Sequence, residues 1–276
     1  MIIDSHQHFW NYNPVKDDWI TDDMKVLKRD FLPKELSKIY KELSISGCVA
    51  VQADQSEEET IFLLDLAEKH DFIKGVVGWV DLQNPQVNEH LSYYAKNKYF
   101  KGVRHILQAE DSSFMHKSEF LNGIKNLDGL GLSYDLLIHP HQLESTAKLV
   151  SQFPDLNFVI DHLAKPNIKM KELKHWKNDL TRVASFTNVH CKISGLVTEA
   201  NWTAWQFSEL KPYIDVVVEF FGVERVMFGS DWPVSNLAAS YKEVLGILDQ
   251  YLVGFSDAEK NKILALNAVN FYNLDL

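Results

Sequence analysis

The chain has 276 residues, of which 46% are hydrophobic and 12% aromatic, so it carries ample apolar material for a large core, and Gly and Pro are too sparse for a disordered chain. A formal charge of −10 argues against wrapping a nucleic-acid backbone, which needs clustered Lys and Arg; the densest basic stretch, Lys165 to Lys177, contains Glu172 and reads as a solvated face. No apolar run approaches the roughly 18 residues of a membrane span, no basic start precedes an apolar leader, and the two cysteines, Cys48 and Cys191, sit inside apolar runs, so a reducing cytoplasm is the expected compartment.

In chain order, eight short apolar, β-rich runs recur: Met1–Ile3, Gly47–Val51, Ile73–Val80, Phe100–Ile106, Leu132–Ile138, Asn157–Ile160, Val189–Ile193 and Val226–Phe228. Helix-period segments alternate with them, among them Glu57–His70, Gln86–Asn97, Gln142–Phe153, Leu173–Ser185 and Ala238–Tyr251. Strands covered by helices on both faces read as continuous apolar runs, as GCVAV, KGVVGWV and NFVI do, and right-handed crossovers close eight such units into a barrel. The pattern predicts α/β class and one (β/α)8 TIM-barrel domain over residues 1–276. The competing open doubly wound sheet is disfavoured because no Gly-rich phosphate loop follows the first strand.

Barrels of this kind build their chemistry at the C-terminal ends of the strands. The predicted exits carry His6 and His8 (strand one), Gln52 and Asp54 (two), Trp79 and Asp81 (three), Arg104 and His105 (four), His139 (five), Asp161 and His162 (six), Ser194 (seven), and Asp231 with Trp232 (eight). His6 and His8 are two apart on extended chain, so their side chains point the same way and can converge on one atom. Asp231 follows Gly229-Ser230, small residues that permit close approach. Arg104 and His105 are adjacent on a strand and face opposite sides, so at most one enters a given pocket; Arg104 suits an oxygen-rich or anionic ligand. Trp10, Trp79 and Trp232 either wall a pocket or fill the barrel mouth.

The ordered set DSHQHFW (Asp4–Trp10), GWVDL (Gly78–Leu82), KGVRH (Lys101–His105), YDLLI with QL (Tyr134–Leu143), DHLAKP (Asp161–Pro166), FGSDWP (Phe228–Pro233) and LNAVNFY (Leu266–Tyr272) resembles the amidohydrolase superfamily. The likeness is to its branch that opens sugar lactones, such as those of fucose and rhamnose, and pyrone dicarboxylate lactone. The resemblance covers the whole chain and implies a distorted (β/α)8 barrel in which His6, His8, His162 and Asp231 meet at the mouth. It implies hydrolysis of a small-molecule sugar lactone to its aldonic acid, with Asp231 as general base and then acid and with His6, His8 and His162 polarising the carbonyl. Arg104, His105, Trp79, Lys165 and Trp232 are the implied substrate-binding residues. Lys101 stands at the start of strand four, so a bridging carboxylated lysine and a two-metal centre are not expected. Either no cofactor is required, or one divalent ion, zinc by preference, sits on His6, His8 and Asp231. A metal-dependent amidase, deaminase or decarboxylase of the same superfamily and a noncatalytic sugar-acid binding barrel are the alternatives. A nucleic-acid or membrane partner is not expected, and a homo-oligomer is left open.

Overall fold

The computed structural model describes residues 1–276 and forms an eight-stranded, all-parallel sheet in the sequential order of its strands. The strands are β1 (Ile3–Gln7), β2 (Gly47–Val51), β3 (Ile73–Gly78), β4 (Phe100–His105), β5 (Ser133–Leu136), β6 (Phe158–Ile160), β7 (Val189–Ile193) and β8 (Val226–Phe228). The helices that cover them are α1 (Pro33–Leu43), α2 (Glu57–Lys69), α3 (Val87–Tyr94), α4 (Ser118–Asp128), α5 (Leu143–Val150), α6 (Lys174–Ala184), α7 (Phe207–Phe221) and α8 (Tyr241–Tyr251), followed by α9 (Asp257–Asn261) and α10 (Asn267–Phe271). This is the single (β/α)8 barrel that the alternating runs predict. No helix is long and apolar enough to cross a membrane.

The barrel closes between β8 and β1. Asp231 N donates to His6 O at 2.8 Å and His8 N donates to Trp232 O at 2.7 Å. Side chains reinforce this short seam: the buried Asp4 carboxylate accepts from Ser230 N (2.8 Å), Ser230 Oγ (2.6 Å), Tyr40 Oη (3.0 Å) and Tyr241 Oη (2.9 Å). A buried carboxylate is tolerated only when its lone pairs are used in this way. The first strand therefore runs four residues beyond the expected Met1–Ile3. Its residues Asp4-Ser5-His6-Gln7 are polar, and hydrophobic patterning ends the run at Ile3, whereas the seam engages Asp4 and Ser5 and groups elsewhere in the barrel engage His6 and Gln7 Nε2.

A register shift between Asp4 and Gln7 in the β1–β2 ladder re-aims the side chains. Ile3 joins an eleven-residue apolar cluster with Val49, Val77, Val159, Met227 and Tyr272, which fills the barrel floor apart from the 69-residue shell between strands and helices. His6, three residues on, faces the same interior at the level of the polar groups above that floor. Cys48 and Cys191 are buried free thiols.

Candidate active site

Above the apolar floor the interior carries a chain of ionic contacts. Tyr272 Oη donates to Asp135 (3.0 and 2.9 Å), Lys192 Nζ meets Asp135 Oδ2 at 2.5 Å and Asp161 Oδ1 at 3.0 Å, and Arg104 Nη1 meets Asp161 Oδ2 at 3.0 Å. His6 lies over this chain, its Nδ1 3.2 Å from Asp161 Oδ1 and 3.1 Å from Lys192 Nζ. Lys192, Asp135, Asp161 and His6 are all 0% exposed. Such charges survive burial only because they are paired within hydrogen-bond distance. Asp161 is pushed up by burial, but Lys192, His6 and Arg104 outweigh that and hold its carboxyl well below the usual range. His6 is lowered well below an ordinary imidazole, first by burial and then by Lys192, against the opposing pull of Asp161.

At the mouth, His8, His162, Asp231, Arg104 and Lys165 line one cavity of about 590 Å³. His8 Nδ1 is 2.8 Å from Val51 O, which can only accept, so His8 donates there from Nδ1, and its Nε2 lies 3.4 Å from Asp231 Oδ1 and 3.2 Å from His6 Nε2. Ser194 Oγ lies 2.9 Å from His162 Nδ1; with Ser194 donating, His162 keeps its hydrogen on Nε2, which is 3.9 Å from Asp231 Oδ1. Burial pushes His162 down to about 4, so it is neutral near pH 7. Asp231 is pushed up by burial and pulled back by His162, His8 and Lys165, which leave it below the ordinary carboxylate value and ionised.

The local backbone is unusual at both ends of this constellation. His162, Leu163, Ala164 and Lys165 are all left-handed (φ 51, 54, 59 and 48°), and so is Asp231 (φ 56°). Each such residue costs about 1–2 kcal/mol. Burial of Leu163 and Ala164 and the Trp176 Nε1 bond to Leu163 O at 2.8 Å hold the turn in place, and the turn throws His162 and Lys165 toward the same cavity. Gly195 (φ 63°) and Gly229 make room for the rings: a Cβ at Gly195 would stand 2.6 Å from His162 Nδ1, and one at Gly229 2.7 Å from His6 Cβ.

Of the residues singled out in the sequence, His8, His162, Asp231, Arg104 and Lys165 meet at the cavity. His6 sits beneath them, fully buried, and touches the ring of His8 rather than the cavity. His105, Trp79 and Trp232 do not line this cavity. His105 faces outward from β4, opposite Arg104, and stacks on Phe114 at 4.8 Å. Trp79 Nε1 donates to His105 Nδ1 at 3.4 Å. Trp232 is 1% exposed and packs edge-on against Phe9 and Phe31 at 6.1 and 5.4 Å. Trp79 and Trp232 fill the barrel wall, the alternative fate of large aromatics. Sequence reading passed over Lys192 and Asp135, each inside a run that otherwise reads as apolar strand. A lysine in a strand covered on both faces is the signal, because lysine is almost never fully buried unless paired.

His6, His8 and Asp231 offer three ligand atoms within 4.8 Å of one another, as do His6, Asp161 and His162. Two imidazole nitrogens and a carboxylate oxygen with converging lone pairs fit a zinc-like ion. The first set fits better, since Asp161 in the second is already engaged by Lys192 and Arg104.

The sequence model of the amidohydrolase family (Amidohydro_2) matches residues 3–274. An L-fucono-1,5-lactonase of Burkholderia multivorans is 36% identical over 99% of this chain and 96% of its own, and another from Burkholderia ambifaria is 32% identical over 99% and 96%. The crystal structure of an amidohydrolase from Burkholderia multivorans with bound zinc superposes with a TM-score of 0.97 at 35% identity, covering all of both chains. With its eight-stranded barrel and its histidines and aspartate at the mouth, the chain belongs to the amidohydrolase family.

Proposed function

We propose that this protein is a hydrolase that opens a sugar lactone to the aldonic acid, with a six-membered ring such as L-fucono-1,5-lactone as the substrate class. The observation that carries the reading is the convergence of Asp231, His8, His162, Arg104 and Lys165 on one cavity of about 590 Å³, in a chain 36% identical over nearly its full length to an L-fucono-1,5-lactonase. The loops 11–29, 107–117 and 195–204 supply its walls through Lys16, Trp19, Gln108, Glu199 and Trp202, a mixture of hydroxyl-binding and apolar groups suited to a sugar ring.

Asp231, ionised, takes a proton from water as the water oxygen bonds to the lactone carbonyl carbon. His162 Nε2–H, with Arg104 and Lys165, donates to the carbonyl oxygen as charge develops on it. The bond from that carbon to the ring oxygen then breaks, and Asp231 returns the proton to the leaving alkoxide. The product carboxylic acid ionises into solvent. A divalent ion would be held by His6, His8 and Asp231, and when bound it supplies polarisation of the carbonyl. The zinc in the solved Burkholderia relative supports such a site.

The test is acid release from a panel of fucono-, rhamnono-, galactono- and arabinono-lactones in weak buffer with a pH indicator, before and after chelator treatment. Hydrolysis of at least one lactone at kcat/KM above about 10⁴ M⁻¹s⁻¹ is expected. Silence on every lactone, with and without added zinc, would overturn the reading.

A further inference from the structure

We propose that Glu199 is a specificity-determining residue of the cavity: its carboxylate accepts a hydrogen bond from a hydroxyl of the substrate and turns away lactones that carry a carboxylate of their own. The inference rests on the reading of the chain as a lactone hydrolase and narrows its substrates to neutral polyhydroxy lactones.

Most charged groups of the cavity wall are already engaged by the chain itself. Lys16 Nζ meets Asp54 Oδ2 at 2.9 Å and Glu59 Oε2 at 3.0 Å. Arg104 Nη1 lies 3.0 Å from Asp161 Oδ2 and 3.3 Å from His6 Nε2, and its Nη2 donates to Gln52 O. Asp231 lies 3.4 Å from His8 Nε2. Apart from the exposed Asp18, the charged groups left over are Lys165 and Glu199, whose Nζ and Oε1 stand 4.0 Å apart with side chains 21% and 24% exposed. That separation is too long for a hydrogen bond and leaves the lysine hydrogens and the Glu199 lone pairs unspent. A hydroxyl at ordinary hydrogen-bond lengths of about 2.8 Å reaches both, accepting from one and donating to the other. Two further groups of cavity-lining residues, Arg104 Nε and Gln108 Oε1, are buried and meet no partner in the chain. An unspent donor beside an unspent acceptor suits hydroxyls, which do both.

The balance of charge points the same way. Lys16 faces two carboxylates, Arg104 faces Asp161, and Lys165 is matched by Glu199, so no cation of the wall is left to receive a ligand carboxylate. A carboxylate brought beside Glu199 instead meets like charge where little water remains. The turn that presents Glu199 is pinned: Lys169 N donates to Glu199 O at 3.0 Å, Thr198 Oγ1 to Gly195 O at 2.7 Å and Trp202 Nε1 to Thr198 O at 2.8 Å. Burial pushes the Glu199 carboxyl up, Lys165 pulls it back and Asp231 adds to the rise. The comparison is therefore made at about pH 7.5, well above the ordinary carboxylate range.

The experiment compares kcat/KM for the best aldonolactone of the panel with that for the lactone of the same ring size and configuration whose terminal carbon is a carboxylate; for galactonolactone this is galactarolactone. Wild type is expected to favour the neutral lactone by about 100-fold or more. Glu199→Gln keeps an acceptor oxygen and loses the charge, and should shrink that ratio by about tenfold or more. Glu199→Leu loses the acceptor as well, and its KM for the neutral lactone should exceed that of Glu199→Gln by about tenfold. Glu144→Gln removes the same charge from a side chain 62% exposed on α5 and should keep the wild-type ratio. Melting temperatures check folding, and a ratio between two substrates on one variant is blind to a uniform loss of active enzyme. Use of both lactones within tenfold by wild type, or an unchanged ratio in Glu199→Gln, overturns the proposal and leaves the lactonase reading standing. Silence on neutral and carboxylated lactones alike overturns both.

Discussion

Replacing Gly229 by Ala would place a methyl carbon 2.7 Å from His6 Cβ and 3.0 Å from Ser194 Cβ. Non-bonded carbons rest at about 3.5–4.0 Å, so β8 or the end of β1 must retreat by roughly 0.8 Å. Neither moves alone: His6 O accepts from Asp231 N and His8 N donates to Trp232 O across the seam, so Asp231 and His8 shift with His6. Overpacking of this kind costs about 1–3 kcal/mol, and at about 2–4 °C per kcal/mol for a chain of this size the melting temperature should fall by roughly 2–12 °C. Misplacement of catalytic groups by about 1 Å costs on the order of 100-fold in kcat. Initial rates of lactone hydrolysis and thermal melts measure both. Gly246 in α8 is the control, since a Cβ there meets nothing within 4 Å; Gly246→Ala should stabilise by about 0.5–1 kcal/mol and leave kcat alone. A Gly229→Ala enzyme with wild-type kcat and melting temperature would refute the claim that this glycine seats His6.

Three further outcomes follow from the site. Lys165→Met should raise KM at least tenfold, whereas Trp79→Phe should leave it within twofold, because Lys165 lines the cavity and Trp79 does not; equal effects would place Trp79 against the substrate. His162 binds its proton near 6.5 in the unfolded chain and at about 4 when folded, so between those values the unfolded state holds more protons. Stability then falls as pH drops from about 6.5 to 4, by the order of 3 kcal/mol; urea melts across that window should show the slope, and His162→Asn should flatten it. Tyr272→Phe removes the hydroxyl that donates to Asp135 and should cost about 1.5–3 kcal/mol in urea unfolding, with kcat/KM changed by less than threefold because Lys192 still pairs Asp135. A large loss of kcat/KM there would extend the catalytic machinery to the barrel floor.

Much of the barrel was legible because strands covered on both faces leave continuous apolar runs, and seven of the eight predicted runs differ from the observed strands only at their ends or match them. β1 was misjudged at its C-terminal end, since Asp4 and Ser5 are satisfied by groups more than 220 residues away in β8 and its exit, which no local pattern reveals. Reading polar groups at strand exits singled out His8, His162, Asp231 and Arg104, and the family resemblance added Lys165; all five line one cavity. Trp79, His105 and Trp232, also at the exits, lie outside that cavity, His105 stacked on Phe114 and Trp232 packed against Phe9 and Phe31. Lys192 and Asp135 stayed hidden because each sits in the middle of a run scored as apolar, and the left-handed turn at His162 to Lys165 contains no glycine to announce it.

The most direct test of the account is Asp231→Asn, assayed with the best lactone of the panel, with and without added zinc. Asn tolerates the left-handed backbone at this position, so the fold should be kept while the base is lost. The account predicts that kcat falls by about 10²–10⁴-fold under both conditions, while the product aldonate still binds within threefold of wild type. Turnover within tenfold of wild type would contradict it and move the base elsewhere in the cavity.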